Sequence, residues 1–272
     1  MHILFIGYGH TSQWLAKQLY AQGHQISTVS RTRKDDALGE HHTQDVASLD
    51  LSHILAVDII YVLLAPSRSE TLENAVQAYQ KSYLESARRI VEQLKPRDFK
   101  RLIVVSSTRV YGENQGQEVN DSSVIQPADQ QGQILREMEL TYLAAFPEQT
   151  VIVRPSGIYG TSVERMKKMA TQQHYPHLHW SNRIHIEDVV GFLAHLIHVE
   201  HVEKEYILTN NQPTLLHEVL QWFQMQMNLP RLAVIDLDRV TGKKLYATHL
   251  DQLGFQLKHQ DCFEDYAALM QG

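Results

Sequence analysis

The stretch "FIGYGHTSQWLAKQL" (5–19) constrains the fold of this chain more tightly than any other. The apolar run "HILFI" (2–6) stops at Gly7. Gly9 and Ser12 follow at G-x-G-x-x-(small) spacing, and a helical pattern with Trp14, Leu15 and Leu19 on one face begins at once. A strand–turn–helix of this kind needs its first glycine for the tight turn and its second for close backbone approach to a pyrophosphate. The third position needs a small residue so that helix and strand can pack. The helix start also offers free N–H groups and the positive end of its dipole to an anion. Gly7, Gly9, His10, Thr11 and Ser12 are therefore candidate contacts for a dinucleotide pyrophosphate. His10, with Tyr8, could flank that group or face solvent.

The segments that follow fit a sheet built around this turn. "QISTVS" (25–30), "IIYVLLA" (59–65), "RLIVVSS" (101–107) and "TVIVRP" (150–155) read as buried strands, with helices at 11–22 and 71–95 between them. Apolar β-rich runs alternating with helices predict parallel strands and right-handed crossovers, hence an α/β, doubly wound sheet. After about residue 155 the alternation loosens. "HIEDVVGFLAHLIHVE" predicts a helix from Glu187, "EYILTN" a strand, and "TLLHEVLQWFQMQM" a helix that Thr214 could cap. We expect a dinucleotide-binding domain over 1–155 and a smaller substrate lobe over 156–272, partly interleaved with it.

Composition narrows the function classes. At 272 residues and 43% hydrophobic, the chain can bury a full core without staples. A formal net charge of -6 with no basic stripe argues against nucleic acid. The single cysteine, Cys262, cannot close an internal disulfide, which fits a reducing compartment. The first residues enter a strand pattern without a signal-peptide flank. The run "ILAVDIIYVLLAP" contains Asp58 and is too short to span a membrane. The expectation is a cytoplasmic protein acting on a small molecule, with neither nucleic acid nor membrane as partner.

An NAD site usually places a carboxylate at the end of the second strand, for the ribose hydroxyls. Here that strand ends in "TVSRTRK", with Ser30 and Arg31 and no acidic residue. An arginine there can pair with a 2′-phosphate, so NADP is preferred to NAD. Arg31 and Arg33 could equally belong to a solvated loop. Asp45 falls where a carboxylate could meet the adenine amine, or could be a plain loop residue.

With the glycine loop, four segments carry a family resemblance: "VVSSTRVYGENQG" (104–116), "RPSGIYG" (154–160), "RIHIEDVV" (183–190) and "YILTNNQPTLLHEVLQW" (206–222). They resemble the extended short-chain dehydrogenase/reductases, the NAD-dependent epimerase/dehydratase family, in order over nearly the whole chain. The resemblance implies a Rossmann-like domain with a C-terminal substrate lobe, and hydride chemistry at a carbinol or carbonyl carbon. It implies that Ser107 hydrogen-bonds the reacting oxygen, with Thr108 the adjacent alternative. Ser107 also ends a predicted parallel strand, where ligand crevices form. The resemblance makes Tyr111 a packing residue and Tyr159 more often wall than catalyst. It sets Pro155 and Ser156 beside the nicotinamide, and Ala65 and Pro66 in a turn against the cofactor. Ser67 could donate to a ribose or substrate. It also implies a homodimer through two long helices per subunit.

The resemblance fails at one place. The family's acid–base pair is a tyrosine and, four residues on, a lysine that lowers its pKa and holds the ribose. In "QQGQILREME" (130–139) those positions are Gln131 and Leu135, while Gly132 and Glu139 fit the pattern. Gln131 can hydrogen-bond but cannot shuttle a proton at physiological pH. Arg136, one step further round, stays charged. The match is to an atypical subgroup that keeps the fold without the pair. Sugar-nucleotide members also carry an arginine four residues before the histidine of "IH", where this chain has Ser181. Arg183, two residues before His185, would share a face with Ser181 in an unbroken strand, which leaves an anionic substrate open.

Three other features of the sequence carry possible chemistry. His174, His177 and His179 in "HYPHLHW" lack acidic or cysteine partners nearby, so no metal is expected of that presumed loop. His185 and Asp188 read as residues that order a loop, and Cys262 as a small buried side chain. Two readings stay open. One is an NADP-dependent oxidoreductase or epimerase in which Ser107 polarises the carbonyl and a water, Thr108 or Tyr159 completes proton transfer. The other is a dinucleotide-binding sensor or regulatory module without turnover.

Overall fold

The structure is a computed structural model that describes residues 1–35, 38–54, 56–66 and 71–271. Ser67 lies outside the described residues. The N-terminal elements are β1 (His2–Ile6), α1 (His10–Ala21), β2 (Gln25–Ser30), β3 (Glu40–Thr43) and β4 (Ile59–Val62). Next come α2 (Leu72–Tyr79), a π-helical stretch (Gln80–Glu85), α3 (Ser86–Leu94), β5 (Arg101–Val105), β6 (Glu118–Asn120), α4 (Gln130–Ala145) and β7 (Thr150–Pro155). The remainder is β8 (Gly157–Tyr159), α5 (Glu164–Ala170), β9 (His174–Ser181), β10 (Arg183–His185), α6 (Ile186–His195), β11 (Glu205–Leu208), β12 (Thr214–Leu215), α7 (Leu216–Gln226), β13 (Ala233–Gly242), β14 (Lys244–Tyr246) and α8 (Cys262–Gln271).

Two compact units divide the chain. The first is Met1–Gly112, Ile125–Arg154 and Val190–Tyr206; the second is Glu113–Val124, Pro155–Val189 and Ile207–Gly272. The main break therefore falls at Arg154/Pro155, and each unit also takes a segment from the other's half of the sequence.

The first unit is built on a seven-stranded sheet in the order β11-β7-β5-β4-β1-β2-β3. Its strands run parallel, with Ile3 opposite Ile26 on one side and Ile59 on the other. Ile3, Phe5, Ile59, Tyr61, Ile103 and Val104 are fully buried, as a sheet covered on both faces requires. This is the doubly wound, Rossmann-like order, and it puts a ligand crevice beyond the carboxyl ends of β1 and β4, where the connections reverse. β3 ("EHHT") was not foreseen: it is polar and lies at the sheet edge.

A buried charge network also holds this unit. Glu139 on α4 accepts from Arg154 Nε and Nη2 at 2.8 Å each. Arg154 also meets Glu205 at 2.7 Å and donates to Tyr111 Oη at 3.0 Å. Burial alone would lower the Arg154 pKa, but its bonds to Glu139 outweigh that and hold the guanidinium charged. Tyr111 and Glu139 thus have structural work: they are the partners of a cation that is 1% exposed.

In the second unit, "HYPHLHW" is not a loop. Its segment forms β9, which pairs with β13 and β12. Thr214 does not cap a helix; it pairs with Ser181, and α7 begins two residues later with Leu215 at its N-cap. Strand pairing has outweighed the local capping preference. An aromatic and aliphatic core that includes Tyr159, Val219, Phe223, Cys262 and Tyr266 packs this unit. Among the described residues, no helix is long and apolar enough to cross a membrane.

Candidate functional site

Two residue groups, one in each unit, carry the candidate chemistry. In the first, β1 ends at Gly7, whose φ of 93° is a left-handed conformation open mainly to glycine. A Cβ there would stand 2.2 Å from the Leu63 carbonyl oxygen. The turn after β4, which leads to Ala65 and Pro66, is therefore packed against the glycine loop. Ser12 is buried, and its hydroxyl donates to the Gly7 carbonyl at 2.8 Å, tying the first helical turn back to the loop. Gly9 differs: it caps α1 in extended conformation (φ -88°, ψ -169°), and a Cβ added to it meets nothing within 4 Å. No side chain caps α1, and its first turn holds no acidic residue. The amides of His10, Thr11 and Ser12 are thus unclaimed within the helix, and the surface at Gly9 is open. Tyr8 is buried edge-to-face against Phe5. His10 is exposed beside Trp14.

Beyond β2, Ser30 donates to the Thr32 carbonyl at 2.8 Å, and its oxygen lies 3.4 Å from His41 Nε2. A cleft of about 490 Å³ opens here, lined by Arg33, Lys34, Asp35, Gly39, His41 and Thr43. Arg31 is exposed and does not line it. Arg33 and Lys34 belong to a short basic cluster visible in the sequence, whereas nothing in the sequence sets His41 beside them; strand β3 brings it to the same cleft. Asp45 caps a 3₁₀ turn, with one carboxylate oxygen accepting from Ala47 N at 2.9 Å.

After β5, Ser107 caps a 3₁₀ turn over Thr108–Val110, its Oγ accepting from Arg109 N at 3.2 Å. Among the described residues that hydroxyl donates to nothing, so its proton is available to a ligand oxygen. Asp129 caps α4 through Gly132 N at 2.7 Å and grips Arg109 Nη2 at 2.9 Å. Burial would raise the Asp129 pKa, but the Arg109 bonds and the cap hold it below the usual carboxylate range. A Cβ on Gly132 would lie 2.9 Å from the Arg109 carbonyl. This close approach sets the start of α4 against the Ser107 turn, with Gln131 next to the contact. Gln131 is buried, and its backbone N–H helps to hold the Asp129 carboxylate charged. Leu135 is 1% exposed and simply packs.

In the second unit, Ser156 is buried, with its hydroxyl given to Thr209 Oγ1 at 3.2 Å, and Pro155 is buried beside it. Tyr159 ends β8 and donates its hydroxyl to Asp265 Oδ2. Burial and that carboxylate push the phenol's pKa well up. Asp265 Oδ1 meets His259 Nδ1 at 2.6 Å, and His259 Nε2 lies 3.3 Å from Glu187. Burial would lower the His259 pKa, but the two carboxylates outweigh it and raise it. His185 stacks on His259, centroids 3.6 Å apart, and burial together with that neighbour lowers its pKa. His185, His259 and Asp265 cluster closely enough to suggest an ion site. The ring planes, however, are only 23° apart and stacked, so one ion cannot lie in both. Glu187 N donates to His185 Nδ1, and Gly160 is pressed against Nε2. Tyr159, Asp265, His259 and Glu187 form a hydrogen-bonded chain, on which His185 stacks. Asp188 does not order a loop ahead of a helix; it anchors the tail, accepting from Lys258 N at 2.8 Å and His259 N at 3.0 Å. Cys262 is buried, with its thiol pushed up to about 11 chiefly by burial.

The glycine loop at the switch point of a doubly wound parallel sheet defines a dinucleotide-binding α/β protein. The sequence profile of the NAD dependent epimerase/dehydratase family matches residues 7–204, and the chain belongs to that family. Among curated proteins it is 26% identical to Protein YeeZ of Escherichia coli strain K12 over 208 residues, 72% of each chain. A solved structure from Methylobacillus flagellatus, described as an NAD-dependent epimerase/dehydratase, superposes with TM-score 0.83 at 29% identity, covering 99% of this chain and 97% of that one. The UDP-glucuronic acid 4-epimerase of Bacillus cereus, solved with NAD, shares the fold at TM-score 0.79 and 15% identity, covering 100% and 99%.

Proposed function

We propose that this chain is an NADP-preferring oxidoreductase or epimerase that acts on a small polar or anionic substrate without the Tyr–Lys pair. The glycine loop carries the reading. Gly7 must be glycine for the fold, whereas Gly9 has no such structural need and is explained by close approach of a ligand. Gly7, Gly9 and the amides of His10, Thr11 and Ser12 would hold the pyrophosphate. Arg33 and Lys34, with Arg31 nearby, favour a 2′-phosphate at the adenosine end. Ser30 and Asp45 would have only their uncommitted lone pairs to offer, and Ala65 and Pro66 would form the wall. Pro155 and Ser156 are assigned to the nicotinamide side.

A bound nicotinamide would supply the carbon that takes or gives hydride. The chain's own part is to polarise and to move a proton. The Ser107 hydroxyl is free to donate to a carbonyl oxygen. Gln131 can orient that oxygen but does not ionise. Tyr159 is committed to Asp265, so the proton route assigned here runs through Thr108 or a water. A cytoplasmic setting fits the single cysteine, and homodimerisation is part of the same proposal.

The test is calorimetric titration with NADPH and NADH, followed by turnover against a panel of carbonyl and carbinol substrates. Tighter NADPH binding with turnover supports the proposal. Tight binding with no turnover across the panel overturns the enzyme in favour of a sensor.

A further inference from the structure

Arg183 opens β10 in the second unit and is 6% exposed. Its Nε donates to Tyr266 Oη at 3.2 Å. Its Nη1 is buried and has no hydrogen-bond partner, and among the described residues Nη2 has none either. The strand alternation that would pair Arg183 with Ser181 does not hold. Asn182 breaks the chain between two sheets, its side chain tied to Lys243 O and Leu245 N. Ser181 is spent on the Thr214 carbonyl at 2.9 Å.

Among the described residues of its unit, no carboxylate forms an ion pair with this guanidinium. Tyr266 belongs to the apolar core, and its hydroxyl is neutral because burial raises its pKa. Cys262, close enough to interact with Arg183, is held as a thiol by its raised pKa. The Asp265 carboxylate is shared by Tyr159 and His259. A buried cation without a partner is strongly unfavourable, and an arginine cannot escape by losing its proton. A water could accept from these N–H groups but would leave the charge uncompensated.

We propose that the two Nη groups of Arg183, held in place by Tyr266, receive one oxyanion of the substrate, a carboxylate or a phosphate. The fork geometry suits two oxygens of one group, each bonded through an N–H. This rests on the reading of the chain as an enzyme for an anionic substrate, and narrows that substrate to one with an oxyanion buried against an apolar core. One fork suits one group, so a single anionic group is assigned.

The experiment titrates the whole protein with inorganic phosphate and with acetate at constant ionic strength, chloride serving as the control. Melting temperature and calorimetry are the readouts. The wild type should show a saturable rise with phosphate, acetate or both; whichever acts identifies the anion. Arg183→Met should bind that anion at least about tenfold more weakly. Its unliganded melting temperature should equal or exceed that of the wild type, since an unpaired cation has left an apolar site. Tyr266→Phe, which keeps the ring, should also weaken the anion. NADPH affinity should be unchanged in both variants. Failure of NADPH to bind the wild type would strike the dinucleotide reading alone. Anion binding by Arg183→Met equal to wild type, or no saturable response in the wild type, would overturn the site.

Discussion

Gly9→Ala separates the two jobs a glycine loop can do. At φ -88° and ψ -169° the residue sits in extended backbone that alanine adopts freely, and the new methyl meets nothing within 4 Å. The unliganded fold should therefore be unharmed. Loss of glycine's freedom in the unfolded chain should add about 0.4–1 kcal/mol of stability. At about 2–4 °C per kcal/mol for a chain of this size, the melting temperature should rise by roughly 1–4 °C. The ligand should fare differently. The methyl stands where the pyrophosphate must approach the helix amides, and losing one charge-assisted bond, at about 1.5–3 kcal/mol, weakens NADPH by roughly ten- to a hundredfold. Gly7→Ala is the contrast. A φ of 93° and a Cβ 2.2 Å from the Leu63 oxygen should lower stability itself, by about 2 kcal/mol or more. Circular-dichroism melts and NADPH calorimetry on both variants decide the matter. Gly9→Ala that melts early yet binds NADPH as the wild type does would refute the assignment of this loop to pyrophosphate.

Other outcomes follow from the same structure. Glu139→Gln takes the fully buried carboxylate from Arg154 and leaves that cation Glu205; at about 3–5 kcal/mol for a broken buried pair, melting should fall by roughly 6–20 °C. Replacing Arg33 and Lys34 together by alanine should weaken NADPH about tenfold or more and leave NADH within about twofold. Arg31→Ala should act in the same direction, and equal loss for both nucleotides in either variant would remove the 2′-phosphate argument. His259 has a raised folded pKa, so its contribution to stability is complete below about pH 6.5 and is lost as pH rises through the raised value. Denaturant melts across pH 6–9 should show that loss in the wild type and not in His259→Gln.

What the sequence disclosed was local. Gly7, Gly9 and Ser12 act within one turn, so their spacing alone specified strand, loop and helix. Gln131 and Leu135 were equally visible, as departures from a pattern confined to one helix. What escaped notice depends on tertiary placement. β3 is polar and short, and nothing in "EHHT" signals an edge strand. Thr214 looked like a cap until pairing with Ser181 claimed it. Tyr159 and Asp265 are 106 residues apart, so no spacing announced that hydrogen bond. The isolation of Arg183 is a property of burial, since its sequence neighbours "SNRIH" show only an ordinary strand.

The central claim is that the first unit holds a nicotinamide dinucleotide at its glycine loop. Its most direct test is calorimetric titration of the purified protein with NADPH and, separately, NADH. Saturable binding at one site per chain is expected, tighter for NADPH, and weakened for both nucleotides alike in Gly9→Ala. Absence of heat and of any thermal shift with either nucleotide at millimolar concentration would contradict it.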